Sequence, residues 1–95
     1  MTNVTEKQFQ SHLVQYARNR GWQVYHTFDS RRCEPGFPDL VLVRDKILYR
    51  ELKSEKGKLT QAQKTWGEML VCAGADYAVW RPSQIKEIYK ELNGN

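Results

Sequence analysis

The centre of the fold is encoded in GFPDLVLV at residues 36–43, which is followed after a short segment by ILYRELK at residues 47–53. Both stretches are rich in β-branched and large apolar residues, and these residue types favour strands. Residues 44–46 between them are polar and suit a tight turn. The sequence therefore predicts a β-hairpin.

Three charged side chains converge if this hairpin forms. Because side chains alternate along a strand, Glu51 and Lys53 lie on one face, about 7 Å apart. Asp39 lies at the start of the first strand, directly after Pro38. Two acids can hold Mg²⁺, which keeps several waters, and a lysine can contact a phosphate or activate a water. The same residues also suit a solvated edge strand and a capped turn, so spacing alone leaves both interpretations open.

The motifs around these residues resemble those of a known nuclease family. Pro38-Asp39 and Glu51-Leu52-Lys53 resemble the signature of the PD-(D/E)xK nuclease superfamily. Over nearly the whole chain, the ordered set of motifs is similar to that of the VRR-NUC family of virus-type replication and repair nucleases. The set comprises Gly36-Phe37-Pro38-Asp39-Leu40, Glu51-Leu52-Lys53-Ser54, Gly57-Lys58-Leu59-Thr60, Gln63, Trp66 and Ala73-Gly74-Ala75.

The resemblance implies a catalytic site and its ligands. Asp39 and Glu51 would bind Mg²⁺ or Mn²⁺, directly or through water, and the backbone carbonyl of Leu52 would join them. Lys53 would position or deprotonate the attacking water and stabilise the charged transition state.

A first helix carries another candidate acid. Thr5 and Gln8 have the spacing of a capping box, and apolar residues then recur at helical spacing, which predicts a helix over about residues 6–20. Glu6 extends the apolar face of this helix by one turn. It is either a site residue, as the resemblance implies, or an acid favoured by the helix macrodipole.

A second helix carries a candidate glutamine. Thr60 and Gln63 form another capping-box pattern, and the helix is expected to end at Gly74. Gln63 lies on the same predicted face as Trp66, toward the sheet. It either supports the site, as the resemblance implies, or only completes the capping box.

Five basic residues are candidates for contacts to a nucleic-acid backbone. Arg31 and Arg32 precede Asp39 in a predicted loop, and guanidinium groups match phosphate oxygens. Each of them, taken singly, suits an ordinary solvated loop at least as well. Lys56, Lys58 and Lys64 cluster at the start of the second helix, where free N–H groups also attract anions.

The remaining pattern completes an α/β fold. Strands are predicted over residues 22–28 and 76–80, and Ser83 is expected to cap a last helix that ends at Gly94. The order α-β-β-β-α-β-α, with a central mixed sheet of about four strands flanked by helices, matches the restriction-endonuclease-like core that the resemblance implies. Periodicity alone supports a mixed α/β domain. We expect residues 1–95 to form a single VRR-NUC-like nuclease domain.

Composition limits the partners and the compartment. Fifteen lysines and arginines against 11 acidic residues give a net charge of +4, which permits a polyanionic partner without demanding one. Cys33 and Cys72 lie in no zinc or disulfide pattern, so they predict free thiols. No signal-peptide pattern and no apolar run of about eighteen residues appears, so we expect a cytoplasmic protein of a bacterial or phage-infected cell, with no membrane partner.

These features predict a Mg²⁺-dependent DNA endonuclease. The competing hypothesis is a catalytically inactive nucleic-acid-binding module of the same fold, whereas a structural adaptor would explain neither the lysines nor the acids. Stand-alone members of the resembling family look like Holliday junction resolvases, which implies a homodimer acting on branched DNA. One set of residues is expected either to form a self-complementary surface or to fill the core: Tyr77, Trp80, Ile85 and Tyr89.

Overall fold

The computed structural model describes residues 4–27 and 34–94. The elements follow the predicted order α-β-β-β-α-β-α, with one short 3₁₀ turn at Pro82–Gln84 before the last helix. They are α1 (Glu6–Asn19), β1 (Gln23–His26), β2 (Leu40–Val43), β3 (Ile47–Leu52), α2 (Gln61–Cys72), β4 (Asp76–Trp80) and α3 (Ile85–Asn93). Phe28, the last residue of the predicted first strand, lies outside the described residues.

The four strands form one mixed sheet in the order β1-β2-β3-β4. The predicted hairpin is confirmed, because β2 and β3 pair antiparallel with Leu40 opposite Arg50 and Val43 opposite Ile47. β1 adds antiparallel to β2, and β4 adds parallel to β3. Because a parallel pair needs a crossover connection, α2 lies between β3 and β4 in the chain.

The sheet has an apolar face and a face that carries the predicted acid Glu51. Alternation places Leu48, Arg50 and Leu52 of β3 on one side, as the sequence predicted, and Tyr49 and Glu51 on the other. The main core lies on the first side, between the sheet, α1 and α3. It contains Phe9, Leu13, Val14, Ala17, Trp22, Leu40, Leu42, Leu48, Leu52, Trp80, Ile88 and Leu92. α2 covers the second side, where Gly67 meets the ring of Tyr77.

Both predicted capping boxes are present. In α1, Thr5 Oγ1 accepts from the Gln8 backbone N–H at 3.1 Å, and Gln8 Oε1 accepts from the Thr5 N–H at 2.9 Å. Thr60 and Gln63 repeat this arrangement at the start of α2. These reciprocal bonds satisfy helix N–H groups that have no partner within the helix. The start of each helix could therefore be predicted from the local sequence.

The expected cap of the last helix by Ser83 is wrong. Pro82 begins a 3₁₀ turn that contains Ser83, and Gln84 Oε1 accepts from the Arg81 backbone N–H at 2.8 Å. The fixed φ of proline suits the first position of such a turn. The rest of the prediction holds, since Ile88 and Leu92 are buried and Gly94 ends α3 with φ +85°.

Arg50 is a buried cation on the core face of the sheet, with 1% of its surface exposed. Its Nη2 lies 3.0 Å from Asp76 Oδ1 and 2.9 Å from Glu91 Oε2, and its Nη1 donates to the Asp76 carbonyl at 2.7 Å. A buried charge requires partners of this kind. Arg50 therefore ties β3 to β4 and α3 beneath the face that carries Glu51.

The four residues suggested for a self-complementary surface do not form one patch. Trp80 is buried in the core, whereas Tyr77 lies on the opposite face of the sheet, under α2. Tyr89 stacks on Tyr16 of α1 with ring centroids 4.2 Å apart. Ile85 packs against the core, so the core-filling alternative describes Trp80 and Ile85. Separately, no helix among the described residues is long and apolar enough to cross a membrane.

Candidate active site

The hairpin places Asp39 beside the end of β3. Asp39 precedes β2 directly, and its Oδ2 accepts from the backbone N–H of Leu52 at 2.8 Å. Its own carbonyl accepts from the Thr27 N–H at 3.1 Å, which continues the pairing of β1 with β2. The Asp39 carboxylate therefore has a fixed position at the edge of the sheet, as the register of the hairpin predicted.

Glu51 is buried next to Asp39, with 1% of its surface exposed. Burial raises the pKa of Glu51 well above its ordinary value of 4.5, and the negative charge of Asp39 and a hydrogen bond between the two carboxyl groups raise it further. Lys53 acts in the opposite direction. Burial and the neighbouring charge therefore favour the neutral form of the Glu51 carboxyl.

Gln63 performs both of the roles that the sequence left open. Its side-chain Oε1 accepts from the Thr60 N–H at 2.8 Å, which completes the capping box. Its Nε2 donates to Glu51 Oε2 at 3.0 Å. Because the two ends of one amide group are used, the start of α2 fixes the orientation of the buried glutamate.

Lys53 follows β3 and lies near both acids. Its backbone N–H donates to the Trp80 carbonyl at 3.1 Å, so the pairing of β3 with β4 extends to this residue. Its charge lowers the pKa of Glu51 and of Glu6, which places the ammonium group within electrostatic reach of both. Lys53, Glu51 and Asp39 are thus brought together.

Glu6 lies at the first turn of α1, toward the same group. Partial burial raises the pKa of Glu6, the charge of Asp39 raises it further, and Lys53 lowers it. The first turn of a helix also favours an acid. Both alternatives from the sequence are therefore compatible with its position, and the structure adds its proximity to Asp39 and Lys53.

Leu52, whose carbonyl is a predicted metal ligand, ends β3 beside Asp39. Extending the register beyond the pair Leu40–Arg50 sets Pro38 opposite Leu52. Opposed residues in an antiparallel pair alternate between pairs that exchange both N–H···O bonds and pairs that exchange none. The bond from the Arg44 N–H to the Lys46 carbonyl puts Pro38 and Leu52 in the first series, but proline has no N–H to donate. The Leu52 N–H instead donates to the Asp39 side chain.

The donors present fit a hard cation that keeps water ligands. Two carboxyl groups and a carbonyl oxygen are the types of ligand that Mg²⁺ prefers, and Mg²⁺ usually takes only one or two carboxylates. Within residues 4–27 and 34–94, no three His, Cys, Asp or Glu side chains form a metal-binding group. Because Mg²⁺ usually keeps several water ligands, two carboxyl groups and one carbonyl oxygen are enough protein donors for it.

The basic candidates fall into two groups. Lys56, Lys58 and Lys64 are exposed, the first two in the loop after β3 and the third in the first turn of α2. Arg31 and Arg32 lie outside the described residues.

Sequence reasoning missed the contribution of Tyr77 to this side of the sheet. Burial raises the pKa of the Tyr77 phenol, and the charges of Glu51 and Asp39 raise it further, so the hydroxyl is near the acids. A Cβ on Gly67 would lie 2.6 Å from the Tyr77 ring, which shows how closely α2 packs there. A glycine inside a predicted helix was the available signal for such a contact.

The fold and the convergence of Asp39, Glu51 and Lys53 define an α/β domain of the PD-(D/E)xK nuclease class. A family model described as the VRR-NUC domain matches residues 1–84. The chain therefore belongs to the VRR-NUC family, as the resemblance of its motifs predicted. This family implies a nuclease-type function.

A solved structure of a VRR_NUC domain protein shares the fold. It superposes with a TM-score of 0.71 over 94% of this chain and 90% of the other, at 22% sequence identity. At this identity the likeness supports the architecture alone. No curated protein gives a significant match.

Proposed function

We propose that the chain is a Mg²⁺-dependent DNA endonuclease whose site consists of Asp39, Glu51 and Lys53. The observation that supports this most strongly is the burial of Glu51 against Asp39. Two adjacent carboxyl groups destabilise each other when both are ionised, and a divalent cation would relieve that repulsion. A structural role gives no reason to keep such a pair beside a lysine.

Each residue has a separate part in the proposed reaction. Asp39, Glu51 and the Leu52 carbonyl would hold Mg²⁺, or Mn²⁺ in its place. The bound ion would supply charge stabilisation and lower the pKa of a water. Gln63 keeps the Glu51 carboxyl in one orientation through its 3.0 Å bond. Glu6 completes the group of acids from the side of α1.

Lys53 acts on the attacking water and on the phosphate. Its ammonium group would position the water, or its neutral amine form would take a proton from the water as the water oxygen bonds to phosphorus. The bond from phosphorus to the leaving oxygen then breaks, and one strand of DNA is cut. The positive charge of Lys53 also stabilises the additional negative charge on the phosphate oxygens in the transition state.

Exposed lysines next to the site support a nucleic-acid substrate. Lys56, Lys58 and Lys64 provide backbone contacts that carry no sequence information. We propose that Arg31 and Arg32 add to this surface. Because one site makes one incision, we further propose a homodimer that prefers four-way or otherwise branched DNA, in the cytoplasm of a bacterial or phage-infected cell.

A cleavage assay tests this function. Labelled linear, flapped and four-way DNA would be incubated with the protein in Mg²⁺, and in EDTA as a control. We expect incision only in Mg²⁺, fastest on the branched substrates, and none by Asp39→Asn. Tight DNA binding without incision in Mg²⁺ or Mn²⁺ would instead identify an inactive binding module of the same fold.

A further inference from the structure

Arg81 fastens the loop that follows the catalytic strand. It comes directly after β4, and its Nη1 lies 2.8 Å from the Ser54 carbonyl, 2.7 Å from the Gly57 carbonyl and 3.3 Å from the Glu55 carbonyl. One guanidinium nitrogen therefore contacts three carbonyl groups of the segment between β3 and α2. Carbonyls in a loop have no ladder partner, so a cation is an effective donor to them.

Two other bonds hold the same loop. The Ser83 backbone N–H donates to Glu55 Oε1 at 2.9 Å, and the Gly57 N–H donates to the Ser54 carbonyl at 3.2 Å. The first bond comes from the same side as Arg81, and the second closes a turn inside the loop. The loop is thereby tied to the segment that follows β4.

The loop lies against the side chain of Lys53. A Cβ built on Gly57 would be 3.4 Å from Lys53 Cδ and 3.0 Å from Ser54 Oγ. The Gly57 backbone therefore lies near the aliphatic part of the lysine, with little more than the space of a methyl group between them. Since Arg81 holds the Gly57 carbonyl at 2.7 Å, its contacts continue through the loop to Lys53.

We propose that Arg81 is a positioning residue for Lys53. By fixing the loop at Ser54 and Gly57, it limits the conformations open to the Lys53 stem and keeps the ammonium group beside Glu51. The inference rests on the proposed nuclease function for its catalytic consequence. A small displacement of a catalytic group is enough to lower the rate strongly.

Steady-state kinetics with Mg²⁺ and labelled DNA measure the catalytic consequence. Arg81→Met keeps an unbranched apolar stem as long as the chain up to Nε and removes the guanidinium donors. We expect kcat to fall by at least about tenfold, with KM changed by less than about threefold. Arg81→Lys should recover most of the loss, because one ammonium nitrogen carries three N–H donors and can serve the carbonyls that Nη1 serves.

Arg44 offers a matched control for the loss of an arginine that binds carbonyl groups. Its Nη1 donates to the Arg20 carbonyl at 2.8 Å and the Leu92 carbonyl at 3.1 Å, at the opposite end of the hairpin from Lys53. Arg44→Met should lower stability and leave kcat within about twofold of wild type. An equal fall of kcat in both variants would reduce Arg81 to a general stabilising role and overturn the proposal.

The salt dependence of DNA binding tests whether Arg81 instead contacts a DNA phosphate. A residue that contacts a phosphate contributes about one unit to the slope of log Kd against log salt concentration. A positioning residue contributes nothing, so we expect Arg81→Met to keep the wild-type slope. A reduction of about one unit, with kcat preserved, would make Arg81 a DNA ligand and contradict the proposal.

Lysine NMR gives a readout that needs no activity. In protein labelled with ¹³C and ¹⁵N on lysine, we expect the Lys53 side chain of Arg81→Met to show greater mobility on the nanosecond timescale, with the signals of Lys46 unchanged. Unchanged Lys53 dynamics would overturn the positioning role. If wild-type protein cuts no DNA, the proposed function fails, and this experiment still decides whether Arg81 orders Lys53.

Discussion

At the scale of single residues, the ionised form of Glu51 lowers the stability of the metal-free protein, although the residue lies in the proposed active site. Its carboxyl group is buried beside Asp39, and its pKa is raised above the ordinary value of 4.5. Because the folded-state pKa is the higher one, the neutral group favours folding at pH values below about 4.5. This contribution is lost as the pH rises toward the folded-state pKa.

Replacing Glu51 with glutamine should therefore stabilise the metal-free protein at high pH. The amide keeps an oxygen for Gln63 Nε2 and gains a donor for Asp39. In urea denaturation with EDTA, we expect Glu51→Gln to raise the free energy of unfolding by about 1–3 kcal/mol at pH 8, and by much less at pH 5. As a control, the exposed Glu68→Gln should change it by less than about 0.5 kcal/mol. A Glu51→Gln variant no more stable than wild type at pH 8 would contradict the inference that burial favours the neutral form of Glu51.

Gln63 both caps α2 and hydrogen-bonds to Glu51, and a comparison with Gln8 can separate these two roles. Gln8 makes the same capping contacts in α1, with Thr5 in place of Thr60. Gln63→Ala and Gln8→Ala should each lower the free energy of unfolding by about 0.5–1 kcal/mol. Only Gln63→Ala loses the bond to Glu51, and we expect its cleavage rate to fall by at least about tenfold. Equal activity of the two variants would limit Gln63 to helix capping.

At the scale of secondary-structure elements, the approach to Asp39 depends on close contact with α2. Gly36 has φ +90°, and a Cβ at this position would lie 2.5 Å from the Ala62 carbonyl group. A side chain would therefore force the turn before Asp39 away from the first turn of α2. Gly74 has nearly the same backbone angle, φ +89°, with no atom within 4 Å of the corresponding Cβ position.

This pair of glycines separates packing from backbone strain. Gly74→Ala should lower the free energy of unfolding by about 1 kcal/mol, which is the cost of the left-handed conformation. Gly36→Ala should lower it by about 3 kcal/mol or more, because the steric clash adds to that strain. Thermal or urea denaturation measures both, and equal losses would show that α2 can move away from Gly36 without penalty.

Elements whose signals are local were predicted well from the sequence. The hairpin follows from its alternating apolar residues and polar turn, and two helix starts follow from capping boxes at Thr5 and Thr60. The contacts of Arg50 and Arg81 were not predicted, because their partners are far away in the chain. Ser83 was misjudged for a related reason, since Pro82 and the contact of Ser83 with Glu55 fix a 3₁₀ turn there.

The convergence of Asp39, Glu51 and Lys53 could be predicted because the hairpin register determines it. The burial of Glu51 and the double role of Gln63 could not, since both depend on how α2 packs across the sheet. The same limit applied to Tyr77. Its aromatic side chain suggested an interface, whereas packing against Gly67 places it beneath α2.

At the scale of the whole molecule, the part of the Glu51 face that α2 leaves exposed offers an apolar surface for self-association. Tyr25, Val43 and Ile47 are 59%, 41% and 49% exposed. The strand register sets Val43 of β2 opposite Ile47 of β3 and opposite Gln23 of β1. Tyr25 lies two residues after Gln23, so its side chain is on the same face as Val43 and Ile47. Such an exposed set is the kind of surface that a second copy of the chain covers.

We predict a homodimer that uses this face. Sedimentation at micromolar concentration should give the mass of two chains for wild type and of one chain for the double variant Val43→Lys, Ile47→Lys, with its secondary structure retained. Val71→Lys, at an exposed site on α2, should remain dimeric. Wild-type protein that sediments as a monomer and cuts linear and branched DNA equally well would overturn the prediction.

The most direct test of the catalytic assignment is the single-turnover cleavage rate of Lys53→Ala with saturating enzyme and Mg²⁺. We predict a loss of at least about 10²-fold, with DNA affinity within about threefold of wild type, because the lysine acts in the chemical step. Lys46→Ala, at the other end of β3, serves as the control and should cleave at the wild-type rate. Cleavage by Lys53→Ala at the wild-type rate would contradict the assignment of Asp39, Glu51 and Lys53 as one catalytic site.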